Sequence, residues 1–299
     1  MRASLPPALL AATLLLGACA PITVRPARTP ALNFSGPAPD VVIFAVSGRC
    51  GTGCLAPRDN WDYLTARGTV DVVAGALAAA GYRVEVAGYA SSAQESYVSH
   101  LTRTVQHGYP ALTAAYARLG TAWGGRRPRV VLLGHSQGVA WLHHLARAYP
   151  EQPVALQIDL DGICASWSTD HGAVIRALRP DPVRPSPAEA CNLFRVGSRS
   201  LRGKDIVWPN VGRNLEVQSK RLPARAGESG GLTFNYLFEV TPNVRLDGSL
   251  TGIERYVSPR EDHSAVSYPN SDALRWVVSR MVPIVQEWRR EDAARAGEG

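Results

Sequence analysis

Between Arg129 and Ala148 the chain switches from a strand pattern to a helix pattern with almost nothing in between. That switch constrains the fold more than any other feature. Arg129-Val130-Val131-Leu132-Leu133 is a continuous apolar and β-branched run, as expected of a strand buried on both faces. Gly134-His135-Ser136-Gln137-Gly138 follows directly, and Val139 to Ala148 then reads as a helix ended by Pro150 and Pro153. A strand that enters a helix through so short a turn holds Ser136 in a strained conformation and lifts its hydroxyl clear of the sheet. Side chains two positions away on either side would collide, and glycine occupies both positions, Gly134 and Gly138. The helix behind the turn aims the positive end of its dipole at Ser136, which favours negative charge developing there.

Strand and helix alternate on both sides of this unit. Val41–Val46 is a second buried strand, followed by a loop rich in Gly and Cys from Ser47 to Cys54. Val70–Ala80 predicts a helix stopped by Gly81, Tyr82–Ala87 a strand, and Pro110–Trp123 a helix broken by Arg126-Arg127-Pro128. Val154–Leu160 predicts a strand turned by Asp161-Gly162, and Gly172–Leu178 a short helix. Asn192–Val196 and Leu215–Gln218 predict later strands, and Ser271–Arg289 an amphipathic helix. Such alternation indicates an α/β fold with a mostly parallel central sheet and helices on both faces. Pro223 to Val257 interrupts it: Thr233–Val240, the turn Thr241-Pro242-Asn243 and Val244–Leu246 read as a β-hairpin insertion. The 299 residues, 45% hydrophobic and 19% charged, suit one large domain with a full core, placed at residues 40–290 with a tail at 291–299.

In this context G-x-S-x-G resembles the nucleophile turn of the α/β-hydrolase fold, and the resemblance runs from Val41 to Trp288. It implies Ser136 as nucleophile, then an acid, then a histidine, in that chain order. It also implies that the N–H of Gln137 gives one half of an oxyanion hole. The other half would come from the loop after the first strand, at Gly48 or Arg49. His263, in Glu261-Asp262-His263-Ser264-Ala265, stands where such hydrolases carry the base. His171 comes too early, and His135 lies beside the nucleophile and points the other way. His143 and His144 read as packing or solvent-facing residues of the turn's helix, and His100 and His107 precede the turn. For the acid two positions stay open. Asp161 ends the strand after the turn's helix and is favoured; Asp205 lies after the next strand, among Arg202, Lys204 and Arg213. Asp159 shares a strand face with Asp161 and is a minor alternative.

The resemblance implies hydrolysis of a carboxylic ester, lipid and acyl esters included, with a small-molecule or lipid substrate and no metal or organic cofactor. A thioesterase, peptidase or acyltransferase would use the same residues. A binding lipoprotein without catalysis is the reading of a different class, and the intact turn and late histidine oppose it. The net charge is +7, but only Lys204 and Lys220 are lysines and the arginines are scattered, so no nucleic-acid partner is expected.

At the N-terminus, Arg2, the apolar run Leu9–Leu16 and Leu16-Gly17-Ala18-Cys19 have the layout of a signal peptide at residues 1–18. The last four residues resemble a bacterial lipobox. That implies lipidation of Cys19 and a membrane anchor, with residues 19–39 as a tether rich in Pro, Ala, Thr and Arg. Ala20 after the cysteine fits sorting to the outer membrane of the cell envelope, facing the periplasm. An oxidising compartment permits disulfides among Cys50, Cys54, Cys164 and Cys191, which allow three connectivities. Cys50–Cys54 would close and stiffen a tight loop, and Cys164–Cys191 would join two loops. No His or Cys pair accompanies Cys50 and Cys54, so a metal site is not expected.

Overall fold

The structure is a computed structural model that describes residues 31–50, 57–221 and 241–297. The strands are β1 (Val41–Val46), β2 (Val84–Tyr89), β3 (Ser96–Val98), β4 (Val105–His107), β5 (Arg129–His135), β6 (Val154–Leu160), β7 (Leu193–Val196), β8 (Arg199–Arg202), β9 (Ile206–Val207), β10 (Val211–Arg221), β11 (Val244–Arg245) and β12 (Ile253–Asp262). The α-helices are α1 (Tyr63–Ala66), α2 (Thr69–Ala79), α3 (Tyr109–Arg118), α4 (Gln137–Ala148), α5 (Trp167–Ala177) and α6 (Asp272–Gly297).

The central sheet has six strands in the order β2-β1-β5-β6-β10-β12, and every pairing within it is parallel. Period-two alternation explains why both faces are covered. In β1, Val42, Phe44 and Val46 pack with Leu112 and Tyr116 of α3 and Trp141 of α4. Val41, Ile43 and Ala45 point the other way, to Val73 and Leu77 of α2 and Val277 and Met281 of α6. The carboxyl ends line up: Val46 pairs with Gly134, and His135 with Leu160. The residues that follow β1, β5 and β6 therefore meet at one edge of the sheet.

Several elements depart from the sequence reading. The strand expected at Asn192–Val196 is present as β7 but lies outside the central sheet: it pairs antiparallel with β8, turned by Gly197 at φ +58°. The sixth sheet strand is β12, in a segment read as interrupting the alternation. Of the expected hairpin insertion, Thr233–Val240 lies outside the described residues, and Val244–Arg245 pairs in parallel with β9. Helix α6 runs on through residues read as a tail, where Arg129 pairs with Glu291 (3.0 Å) and Asp292 (2.8 Å) and lies over the Trp288 ring. Cys164 is bonded to Cys191, across a separation of 27 residues. Cys50 is also disulfide-bonded; Cys54, like Cys19 and the whole of residues 1–30, lies outside the described residues. No helix among the described residues is long and apolar enough to cross a membrane.

Candidate active site

The turn between β5 and α4 puts Ser136 at φ +60° and ψ −130°, outside the regions that L-residues favour. Its N–H donates to Leu160 O (3.0 Å), and its carbonyl accepts from Ile163 N–H (3.2 Å), so the neighbouring strand end holds the strain in place. The glycines around it are dictated by close approach. A Cβ at Gly138 would lie 2.0 Å from Val46 O, and one at Gly48 would lie 2.2 Å from Ser136 Cβ. The loop after β1 is thus pressed directly against the serine.

Asp161 follows β6 and takes φ +49°. Its N–H donates to Val217 O (2.8 Å), and Ser219 N–H donates to its Oδ1 (2.8 Å), so β10 fixes both backbone and carboxylate. The side chain is buried, and Oδ2 lies 2.7 Å from His263 Nδ1. His263 follows β12 on a turn in which Asp262 Oδ1 accepts the N–H groups of Ser264 and Ala265, both at 2.9 Å. Its Nε2 lies 3.0 Å from Ser136 Oγ, and its side chain keeps 15% exposure. Three segments far apart in sequence therefore bring a hydroxyl, an imidazole and a carboxylate into one hydrogen-bonded line.

Asp205 is not brought to His263. It sits in a buried turn with its carboxylate 2.5 Å from Lys204 Nζ. Asp159 faces α4 instead, where His143 Nε2 lies 2.9 Å from its Oδ2. His171 is buried against Trp141 and Trp167, with Nε2 3.1 Å from Gln137 Oε1. Burial, helped by the charge of Arg49, pushes His171 down to about 3, so it stays neutral.

Of the expected oxyanion donors, Gly48 N–H is engaged: it donates to Tyr63 Oη at 2.8 Å. Cys50 N–H donates to Asn60 Oδ1 at 2.9 Å, and the N–H between these two is that of Arg49. The Arg49 side chain reaches the buried Asp170, with Nε 2.9 Å from Oδ2, and Gln137 Nε2 donates to the same oxygen at 2.9 Å. Gln137 Nε2 also donates to Ala165 O (2.8 Å), and Gln137 Oε1 accepts from Ser91 Oγ (3.1 Å). Asp170 therefore ties the Arg49 loop to the first residue of α4. Sequence reasoning missed Asp170, Ser91 and Tyr63, which share no local pattern with Ser136. Among the described residues no group of three or more His, Cys, Asp or Glu is arranged to hold a metal ion.

The strand order, the strained serine between β5 and α4, and the covered faces define an α/β-hydrolase fold. No protein-family model matches the chain, and no curated protein does. Solved structures similar to it include one from a study of LipS and LipT, two metagenome-derived lipolytic enzymes. It is 16% identical over 86% of this chain and 99% of the other, with a TM-score of 0.41. The esterase domain of a Rhodothermus marinus protein is 17% identical over 81% and 84%, with a TM-score of 0.39. Est1E from Butyrivibrio proteoclasticus, with ferulic acid bound, is 13% identical over 86% and 90%, with a TM-score of 0.40.

Proposed function

We propose that this chain is a serine hydrolase that cleaves carboxylic esters, lipid or acyl esters among them, through an acyl-enzyme on Ser136. One observation carries the reading: the line from Asp161 Oδ2 to His263 Nδ1 (2.7 Å) and from His263 Nε2 to Ser136 Oγ (3.0 Å). A carboxylate only accepts hydrogen bonds, so Nδ1 carries the proton and Nε2 of the neutral ring is free to receive one. Ser136 Oγ bonds to the ester carbonyl carbon while its proton passes to Nε2. Asp161 stabilises the resulting imidazolium, and Ser219 N–H fixes the direction of its carboxylate. The carbonyl oxygen gains the negative charge and takes the N–H groups of Gln137 and Arg49. The carbon–oxygen bond then breaks, and Nε2 returns its proton to the departing alcohol. Water repeats the sequence on the acyl-enzyme and releases the acid.

The Cys164–Cys191 bond supports a second part of the reading, export to an oxidising compartment; anchoring at the cell envelope by a lipid on Cys19 rests on the lipobox-like Leu16-Gly17-Ala18-Cys19 alone.

Turnover of short- and long-chain p-nitrophenyl esters, with mass spectrometry of the quenched protein, tests the activity. The expected result is hydrolysis with acyl mass on the peptide containing Ser136, absent from Ser136→Ala. A cooperatively melting wild type that turns over no ester of the series would sink the reading.

A further inference from the structure

A second hydrogen-bonded line passes beneath Ser136, and it resolves completely. His135, the residue before the nucleophile, has Nε2 2.7 Å from the backbone carbonyl of His263. Its Nδ1 is in a short contact with Tyr63 Oη, which itself accepts from Gly48 N–H at 2.8 Å. A carbonyl oxygen only accepts, so Nε2 carries the proton. In the neutral ring Nδ1 is then the acceptor, so Tyr63 donates its hydroxyl proton to it and keeps its lone pairs for Gly48. Each donor in the line has one acceptor, and the direction runs from the loop after β1 to the loop after β12.

Neutrality matters because the rings of His135 and His263 are 4.8 Å apart. A charge on His135 would oppose the charge that His263 takes up when it receives the serine proton. Burial, and next the proximity of His263, hold the pKa of His135 well below its ordinary value. Tyr63 and His135 are 4% and 3% exposed, so water does not compete for these bonds.

We infer that Tyr63 and His135 are positioning residues that hold the Gly48–Arg49 loop and His263 in register across Ser136. They act through the line Gly48 N–H to Tyr63 to His135 to the carbonyl of His263. The inference rests on the hydrolase reading above and adds to it two residues outside the reacting set. The alternative is that Tyr63 only fills space, with its ring edge-on to Trp61 (5.9 Å) and under Arg67 (4.7 Å). Tyr63→Phe keeps those ring contacts and removes both hydrogen bonds, so it separates the two.

The test compares the full chain with Tyr63→Phe, His135→Phe, the double variant and His135→Gln. Readouts are kcat and KM on p-nitrophenyl butyrate, the rate of fluorophosphonate labelling, and thermal melting. Small misplacement of reacting groups costs up to roughly 100-fold in rate, so each Phe variant is expected to lose roughly 10- to 100-fold in kcat and in labelling rate, with KM within about 2-fold. The double variant should lose no more than the worse single one, because both break the same line. His135→Gln keeps a side-chain donor for the His263 carbonyl and should recover most of the loss. Histidine-selective ¹⁵N NMR of wild type should show one neutral ring protonated at Nε2 that disappears in His135→Phe. An unchanged kcat in Tyr63→Phe with a lowered melting temperature would make Tyr63 a packing residue and overturn the inference. A His135 ring protonated at Nδ1 would overturn it as well. A wild type that takes no fluorophosphonate would defeat the hydrolase reading instead, and the NMR result would still decide the line.

Discussion

Strand β6 and the turn that follows it present two aspartates to two histidines, and the pairs have opposite characters. Asp159 lies 2.9 Å from His143 Nε2, and Asp161 lies 2.7 Å from His263 Nδ1. The difference lies at the second nitrogen. His143 Nδ1 faces Ile206 O at 2.8 Å, so both its nitrogens meet acceptors and both must carry protons. Burial opposes that charge, but Asp159's field and the hydrogen bonds outweigh it and raise the pKa of His143. The charged form of His143 is therefore favoured within a buried network: Asn214 and Asn243 also donate to Asp159 Oδ2, at 2.6 and 2.9 Å. His263 has a hydroxyl at its second nitrogen and can both accept and return a proton. On the proposed reading, what the far nitrogen of a His–Asp pair touches separates a structural cation from a catalytic base.

The largest effect is expected at the serine. Ser136→Ala should lower kcat/KM on p-nitrophenyl esters by roughly 10⁶-fold, and His263→Ala by a similar factor, since residues acting as a unit fail together. The two aspartates come next. Asp161→Asn should lower kcat by roughly 10⁴-fold with little change in stability, because the amide favours the wrong tautomer of His263. Asp159→Asn should do the reverse. Urea unfolding should show a loss of about 3–5 kcal/mol, from a buried cation left without its counterion, while the folded protein keeps its activity. An activity loss larger at Asp159 than at Asp161 would exchange the two roles.

A pH series sharpens the same contrast. The pKa of His143 is raised in the folded state, so its contribution to stability is fully present below about pH 6.5 and is lost as pH rises through the raised value. Burial raises the pKa of Glu216 to about 7, which adds a decline of the same sign between its ordinary value and pH 7. The difference between wild type and His143→Leu isolates the histidine, and it should shrink as pH rises. The smallest effect on catalysis is expected at Asp205: Asp205→Asn should leave kcat within about 2-fold while disturbing the buried pair with Lys204.

Local patterns carried the unit around Ser136, because strand, turn and helix are contiguous and each obeys its own periodicity. His263 was legible from chain order, and Asp161 from its place at a strand end. Nothing local could decide between Asp161 and Asp205; the choice depends on Ser219 of β10 reaching Asp161 and on Lys204 engaging Asp205. Strand β12 was missed because Ile253-Glu254-Arg255-Tyr256-Val257-Ser258-Pro259 is an edge strand with charges and a proline, lacking the apolar run of β5. The strand at Leu193–Val196 is legible, but its place outside the central sheet is not, because a short hairpin arm has the same alternation as a central strand. Tyr63 lies 72 residues from His135, and Asp170 33 residues from Gln137, so these pairings exist only once the sheet has assembled.

The roles of Ser136 and His263 are tested most directly by fluorophosphonate labelling of the purified chain, read by peptide mass spectrometry in wild type, Ser136→Ala, His263→Ala and Asp159→Asn. The expected result is one adduct, on Ser136, lost in the first two variants and retained in the third. A folded wild type that takes no label, or equal labelling of Ser136→Ala, would contradict it.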